Sequence, residues 1–127
     1  MVKIEVYNST KSVELKQSTI STAVIMFCTF LVFLLFPDNY TRGILLFILV
    51  ICAYFTNKKI TITFIIVTML SGFFAEAFMM RYAKNTWVYH KPDAFGAPLW
   101  LLPLWGIVCI TSLEIYTLTN YFQYLLQ

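Results

Sequence analysis

The chain has 127 residues, of which 60% are hydrophobic, 18% aromatic and only 12% charged. A soluble domain carries about 25% charged residues to keep its surface wet. The shortfall, in a chain with long uncharged runs, excludes an ordinary water-soluble globule and points to a bilayer as solvent. Nine Lys/Arg against six Asp/Glu leave a net charge of +3. These charges gather at segment ends and form no basic face, which suits membrane-flanking anchors and excludes a nucleic-acid-binding patch.

Residues 1–18 are polar and of mixed charge. Val2, Ile4 and Val6 alternate with polar neighbours, so the segment reads as a short strand or an interfacial piece. A single strand cannot form a sheet, so the expectation is a loosely held polar tail ahead of one membrane domain, 19–127. The first apolar run, Thr19 to Phe36, has 18 residues and no charge. As a helix it is roughly 27 Å long, enough to cross a bilayer core. No small-residue cleavage site follows it, so it reads as an uncleaved first span.

Pro37, Asp38 and Asn39 stop that run. The Asn39-Tyr40-Thr41 glycosylation sequon lies too close to the membrane to be used. The second run, Thr41 to Thr56, has 16 residues, short for a span unless Arg42 and Lys58 snorkel from its ends or the bilayer is thin there; a buried hairpin that does not fully cross is the alternative. The third, Ile60 to Met80, ends at Arg81. Within it Thr61, Thr63 and Thr68 are expected to return hydroxyls to carbonyls four residues earlier. Ser71, Gly72, Ala75 and Ala77 make one end small enough for close helix approach. The longest connection, 81–97, carries Arg81, Lys84, His90, Lys91 and Asp93, with turn formers Asn85, Pro92 and Gly96. The fourth run, 98–124, opens on Pro98, which suits a first helical turn, and meets Pro103 about one turn in.

The expected fold is an all-α integral membrane protein with four transmembrane helices in an antiparallel bundle, at about 19–36, 41–56, 60–80 and 98–124. Both termini then share a side. Lys3, Lys11, Lys16, Lys58 and Lys59 lie on that side, against Arg42, Arg81, Lys84 and Lys91 on the other. The positive-inside rule leans to cytoplasmic termini. Cys28, Cys52 and Cys109 sit inside apolar runs with no second ligand at metal spacing, so they read as small apolar residues. No metal or cofactor is implied.

An ionisable side chain inside a span is a functional candidate because it costs at least a few kcal/mol to leave it there. Glu76 and Glu114 are the two. Glu76 stands five residues before Arg81, roughly 7 Å inside the boundary on the side of the 81–97 loop, and Glu114 stands sixteen residues past Pro98, roughly 24 Å from that boundary. Their depths rule out a direct carboxylate pair. Glu114 comes level with the Lys58/Lys59 turn and is expected to be held by a lysine. Glu76 shares its depth with Tyr89, His90, Trp100 and Trp105. Among aromatic rings it would act as a proton donor; as a helix-end residue it would pair with Arg81 or Lys84. His90 alone makes no metal site and suits a solvated loop. Trp87, Tyr89, Trp100 and Trp105 read as an interfacial belt, or as the lining of a pocket for an apolar or cationic group.

The order Glu76, then Tyr89-His90, then Gly96-Ala97-Pro98-Leu99 with Pro103 and Trp105 resembles the pattern of the carotenoid-hydratase-like polytopic membrane proteins. The resemblance covers Glu76 to Trp105. It lacks those proteins' glycines between Glu and Tyr, differs in proline spacing, and belongs to a chain with fewer spans. It implies water addition to, or cyclisation of, an isoprenoid double bond, with Glu76 as proton donor and Tyr89 and His90 beside it.

Three functional classes follow. The first, and the leading one, is a non-catalytic membrane component or subunit, whose partners are the lipid bilayer and other membrane proteins or further copies of itself. It expects the small face at Gly72 and Ala75 to be exposed. The second is a lipid- or isoprenoid-modifying enzyme, which expects Glu76 and His90 to converge within hydrogen-bond reach. The third is an oligomeric transporter or channel subunit, which expects a polar path from Glu76 to Glu114.

Overall fold

The computed structural model of the chain describes residues 2–56, 60–83 and 87–126. It is an all-α four-helix bundle: α1 (Val2–Leu35), α2 (Asn39–Thr56), α3 (Ile62–Tyr82) and α4 (Leu101–Leu125). All four are long and apolar enough to cross a membrane. Their surfaces agree with that composition. Phe27, Phe30 and Leu34 on α1, Ile44 and Phe47 on α2, and Val67, Phe74 and Phe78 on α3 are all exposed.

Helix boundaries differ from the sequence expectation by a few residues, except at the start of α1, which lies 17 residues earlier than expected. Residues 2–18 continue α1 and form no strand. A helix already nucleated by its apolar part extends one residue at a time without a new nucleus, whereas a lone strand has nothing to pair with. The second helix starts at Asn39 and gains two residues on the expected run. Asp38 acts as its N-cap, with Oδ2 accepting the Thr41 backbone N–H at 2.8 Å and the Thr41 hydroxyl at 2.9 Å. Thr61 caps α3 by accepting the Phe64 N–H, while Thr68 returns its hydroxyl to the Phe64 carbonyl as expected. The carbonyl that Thr63 would reach belongs to residue 59, outside the described residues.

The last helix begins at Leu101, not at Pro98. The Leu101 and Leu102 amides bond to the carbonyls of Pro98 and Leu99 in a tight lead-in turn. Pro103 then falls at the third position of α4, where an amide has no intrahelical acceptor, so the proline costs no helical hydrogen bond.

Packing is unequal. The fourth helix touches α1, α2 and α3, while α1 packs against α2 and α3 packs mainly on α4. Accordingly 39% of α4's apolar span is buried, against 17–22% in the other three. Gly106 marks the centre of this arrangement: a Cβ there would come within 3.1 Å of both Met69 on α3 and Val50 on α2. Both neighbours close on α4 because that position has no side chain. Leu46, Val50, Ile65, Met69, Ile107 and Ile110 form the main core around it.

Glu114 is buried, with 2% of its surface exposed. Its partners are hydroxyls of α1: Ser18 Oγ donates to Oε2 at 2.6 Å and Thr19 Oγ1 lies 3.1 Å from Oε1. The expected lysines, Lys58 and Lys59, lie outside the described residues. Cys28, Cys52 and Cys109 are free thiols, half-buried, exposed and buried in turn.

Candidate functional site: a carboxylate clamp at the loop end of the bundle

The residues singled out between Glu76 and Trp105 meet at one end of the bundle. The face of α3 that packs on α4 carries Met69, Gly72, Phe73, Glu76 and Ala77 at helical spacing. Gly72 lies one turn before Glu76 and is covered by the Trp105 indole of α4. A Cβ at Gly72 would collide with the indole ring carbons. Only glycine lets that ring lie flat enough for its N–H to reach the next turn of α3, where Trp105 Nε1 donates to Glu76 Oε1 at 3.2 Å. Tyr89, from the connection between α3 and α4, donates its hydroxyl to Glu76 Oε2 at 2.7 Å. Both carboxylate oxygens are therefore occupied by neutral donors, one from the α3–α4 connection and one from α4.

Tyr89 is held in turn by Trp100, whose ring meets it edge-on with centroids 5.6 Å apart, and Trp100 meets Phe33 of α1 in the same way at 4.9 Å. Edge-to-face contacts of this kind each stabilise by about 0.5–1.5 kcal/mol beyond area burial. Burial, followed by the hydrogen bond to Glu76 and its charge, pushes the Tyr89 phenol up to about 12 from 10.0. At neutral pH Tyr89 is thus a firm donor, and Trp105 can only donate. Glu76 acts as the acceptor of both.

The connection itself is a tight reversal. Ala94 and Ala97 exchange backbone hydrogen bonds around Phe95 and Gly96, which both take positive φ, 53° and 85°. This is the backbone of a two-residue primed turn, at home with glycine and unusual for phenylalanine. Asn39 ties the reversal to the start of α2. Its Nδ2 donates to the Lys91 carbonyl at 2.7 Å and to Asp93 Oδ2 at 3.1 Å, and its Oδ1 accepts from Trp100 Nε1 at 3.1 Å. Asp93 Oδ2 also accepts the Leu99 N–H at 2.9 Å, which sets the lead-in to α4. Arg42 lies across the end of α1, with Nε on the Phe36 carbonyl and a terminal nitrogen 3.2 Å from the Phe33 carbonyl. These contacts cap α1, whose last carbonyls need donors.

Beside the clamp is an open cavity of about 340 Å³, bordered by Asn39, Arg42, Tyr89, His90, Lys91 and Trp100. Among the described residues no three metal-ligating side chains come together.

The structure thus gathers Glu76, Tyr89, Trp100 and Trp105. His90 is exposed at the cavity rim, and no hydrogen bond joins it to Glu76 among the described residues. Trp87 is 54% exposed and stands outside the cavity lining. Arg81 is exposed, with its guanidinium beside the Tyr82 ring, 5.9 Å from the centroid. The ion pair expected between Glu76 and Arg81 is replaced by the two neutral donors; Lys84 lies outside the described residues. The small face does not stay open either, since Gly72 is buried beneath Trp105, although Ala75 is exposed. Along α4 between Trp105 and Glu114, the buried residues are Gly106, Ile107, Cys109 and Ile110. No polar path along α4 connects the two carboxylates.

Asn39, Arg42 and Asp93 were not among the candidate site residues read from the sequence. One signal was available for the first two: an Asp directly before an apolar run is a helix-start signature. It places Asn39 and Arg42 in the first turn of α2, facing the loop end. Comparison with models of protein families, with curated proteins and with solved structures finds no match.

Two outcomes test the clamp. Gly72→Ala should expel Trp105 and lower stability by roughly 1–3 kcal/mol, read as a lower thermal unfolding midpoint in detergent. Ala75→Val, at an exposed position of the same helix, should change it by less than about 0.5 kcal/mol. An unshifted midpoint for Gly72→Ala would refute the Trp105–Gly72 contact. The second outcome concerns pH. A phenol whose folded-state value is raised holds its proton longer folded than unfolded, so its contribution is full below pH 10 and is lost as pH rises to about 12. The phenolate absorbance difference between the native protein and Tyr89→Phe should titrate near 12. Glu76→Gln should move it part of the way to 10, since burial, the larger cause, remains.

Proposed function

We propose that the protein is a non-catalytic, multi-pass membrane component in which Glu76 is a structural clamp that fixes the α3–α4 connection over the end of the bundle. The observation that carries this reading is the occupation of both Glu76 oxygens by the donors Tyr89 and Trp105. A general acid needs a proton to give and access to substrate. Here Trp105 occupies one oxygen as an obligate donor, Tyr89 supplies its own proton to the other, and His90 stands apart. The isoprenoid-modifying alternative is supported only by the shared depth of Glu76 and Tyr89. A transport role is disfavoured by the apolar stretch of α4 between Glu76 and Glu114.

All four helices cross the bilayer in this reading, so both termini lie on one side. The lysine distribution favours the cytoplasm, with the clamp at the opposite interface. There the indoles of Trp87 and Trp100 suit the headgroup level.

Glu76→Gln keeps one acceptor and loses the other, leaving a donor without its partner. It should lower stability by roughly 1–3 kcal/mol and leave the lipid and isoprenoid composition of the host membrane unchanged. A changed profile from a well-folded variant would overturn the non-catalytic reading. Reporter domains fused before Met1 and after Gln127 should both report the cytoplasmic side; reporters on opposite sides would rule out four crossings.

A further inference from the structure

We propose that the cavity at the loop end binds the phosphate of an anionic glycerophospholipid, with one acyl chain laid along an apolar groove beside α2. The proposal rests on the reading that all four helices cross a bilayer.

Charge is the first argument. Arg42, His90 and Lys91 border the cavity, and among the described residues no carboxylate does. Three acids stand nearby, each with hydrogen-bond partners of its own, and Glu76 takes the donors Tyr89 and Trp105. Asp38 Oδ2 takes the amide and hydroxyl of Thr41, and those bonds, aided by Lys91, hold its carboxyl below the usual range. Asp93 Oδ2 takes the Leu99 amide and the Asn39 side chain. Arg42 spends hydrogen bonds on the carbonyls of Phe33 and Phe36, which orient its guanidinium but leave its charge unneutralised. A fixed guanidinium with a lysine beside it is suited to phosphate.

Rigidity is the second. Asn39 holds the Lys91 backbone and Trp100 at the same time. Tyr89 is pinned by Glu76. The walls are therefore set before any ligand arrives, which lowers the ordering cost of binding.

Continuity is the third. Asn39 also stands at the head of an open groove of about 400 Å³, lined by Gly43, Ile44, Phe47 and Ile48 of α2 with Leu99 and Leu102 opposite. Gly43 faces the Trp100 backbone, and a Cβ there would make ordinary van der Waals contact, 3.7 Å from the Trp100 Cα. A cationic cup and an apolar trough meeting at one residue match an amphiphile with a phosphate at one end. Free phosphate would leave the groove unused, and a neutral hydrocarbon would leave Arg42 and Lys91 unused.

The test is native mass spectrometry of the full chain released from nanodiscs, titrated with a phosphatidylglycerol, with a phosphatidylcholine of the same chains, and with glycerol 3-phosphate. Phosphatidylglycerol should bind at least about tenfold more tightly than either comparator. Lys91→Gln, at an exposed position, should cut that preference about fivefold, the effect of roughly one basic group at a membrane surface, and the charge reversal Lys91→Glu should cut it further. Ile48→Trp, filling the groove, should weaken the lipid and leave glycerol 3-phosphate unaffected, with Phe47→Ala as a second groove variant should the first misfold. Equal binding of the two lipids, or an undiminished preference in Lys91→Glu, would overturn the proposal. Glycerol 3-phosphate binding as tightly as the lipid would overturn the lipid as ligand. A chain that inserts into nanodiscs without preference refutes this inference alone, whereas one that fails to insert refutes the membrane reading beneath it.

Discussion

The Glu76 carboxylate is the node on which the loop end of the molecule depends. A charge at that depth is costly unless its lone pairs are met, and two neutral donors meet them. Tyr89 reaches down from the connection and Trp105 reaches across from α4. Hydrogen bonds to an ionised acceptor are roughly twice as strong as neutral ones, and a low local dielectric strengthens them further. The same low dielectric makes the carboxylate expensive to leave bare. The connection is tied down because releasing it would expose that cost.

Glu114 repeats the solution at another depth. Its oxygens accept from the hydroxyls of Ser18 and Thr19, joining α4 to α1. In both cases a carboxylate is paired with neutral donors from a neighbouring segment, with no cation in contact among the described residues. An ion pair would have required desolvating a second charge, which the mutual attraction often fails to repay. Hydroxyl, phenol and indole donors carry no such penalty. Both carboxylates serve α4 packing, one on α4 itself and one facing it from α3, in keeping with α4 as the helix that touches the other three.

Around the node, the helix ends supply the rest of the order. Asp38 caps α2, Arg42 covers the last carbonyls of α1, and Asn39 links the reversal at Phe95 and Gly96 to Trp100. These contacts join three chain segments that a bundle of apolar helices would otherwise leave loosely apposed. Lipid tails are as apolar as leucine, so the helices gain little by hiding apolar faces from them. Close packing at Gly72 and Gly106, and polar contacts at the ends, therefore carry the specificity.

Much of this was legible in the residues. Long uncharged runs, each bounded by turn formers and charges, imposed four helices in a bilayer-like solvent, and the observed ends depart from those runs where a cap or a proline acts and where α1 continues back through residues 2–18. Helical rise alone separated Glu76 from Glu114 and set Tyr89, Trp100 and Trp105 near the former. What rise cannot supply is direction around each helix axis. Whether Glu76 would meet Arg81, His90, or Tyr89 and Trp105 depended on how far α4 could approach α3, and Gly72 decided that by accepting an indole where any side chain would clash. The same limit hid Asn39 and Arg42, whose partners lie across the fold at positions 93, 100 and 33. Depth is a property of one helix and can be counted along the chain. Partnership is a property of two packed surfaces, and only the tertiary structure brings those surfaces together.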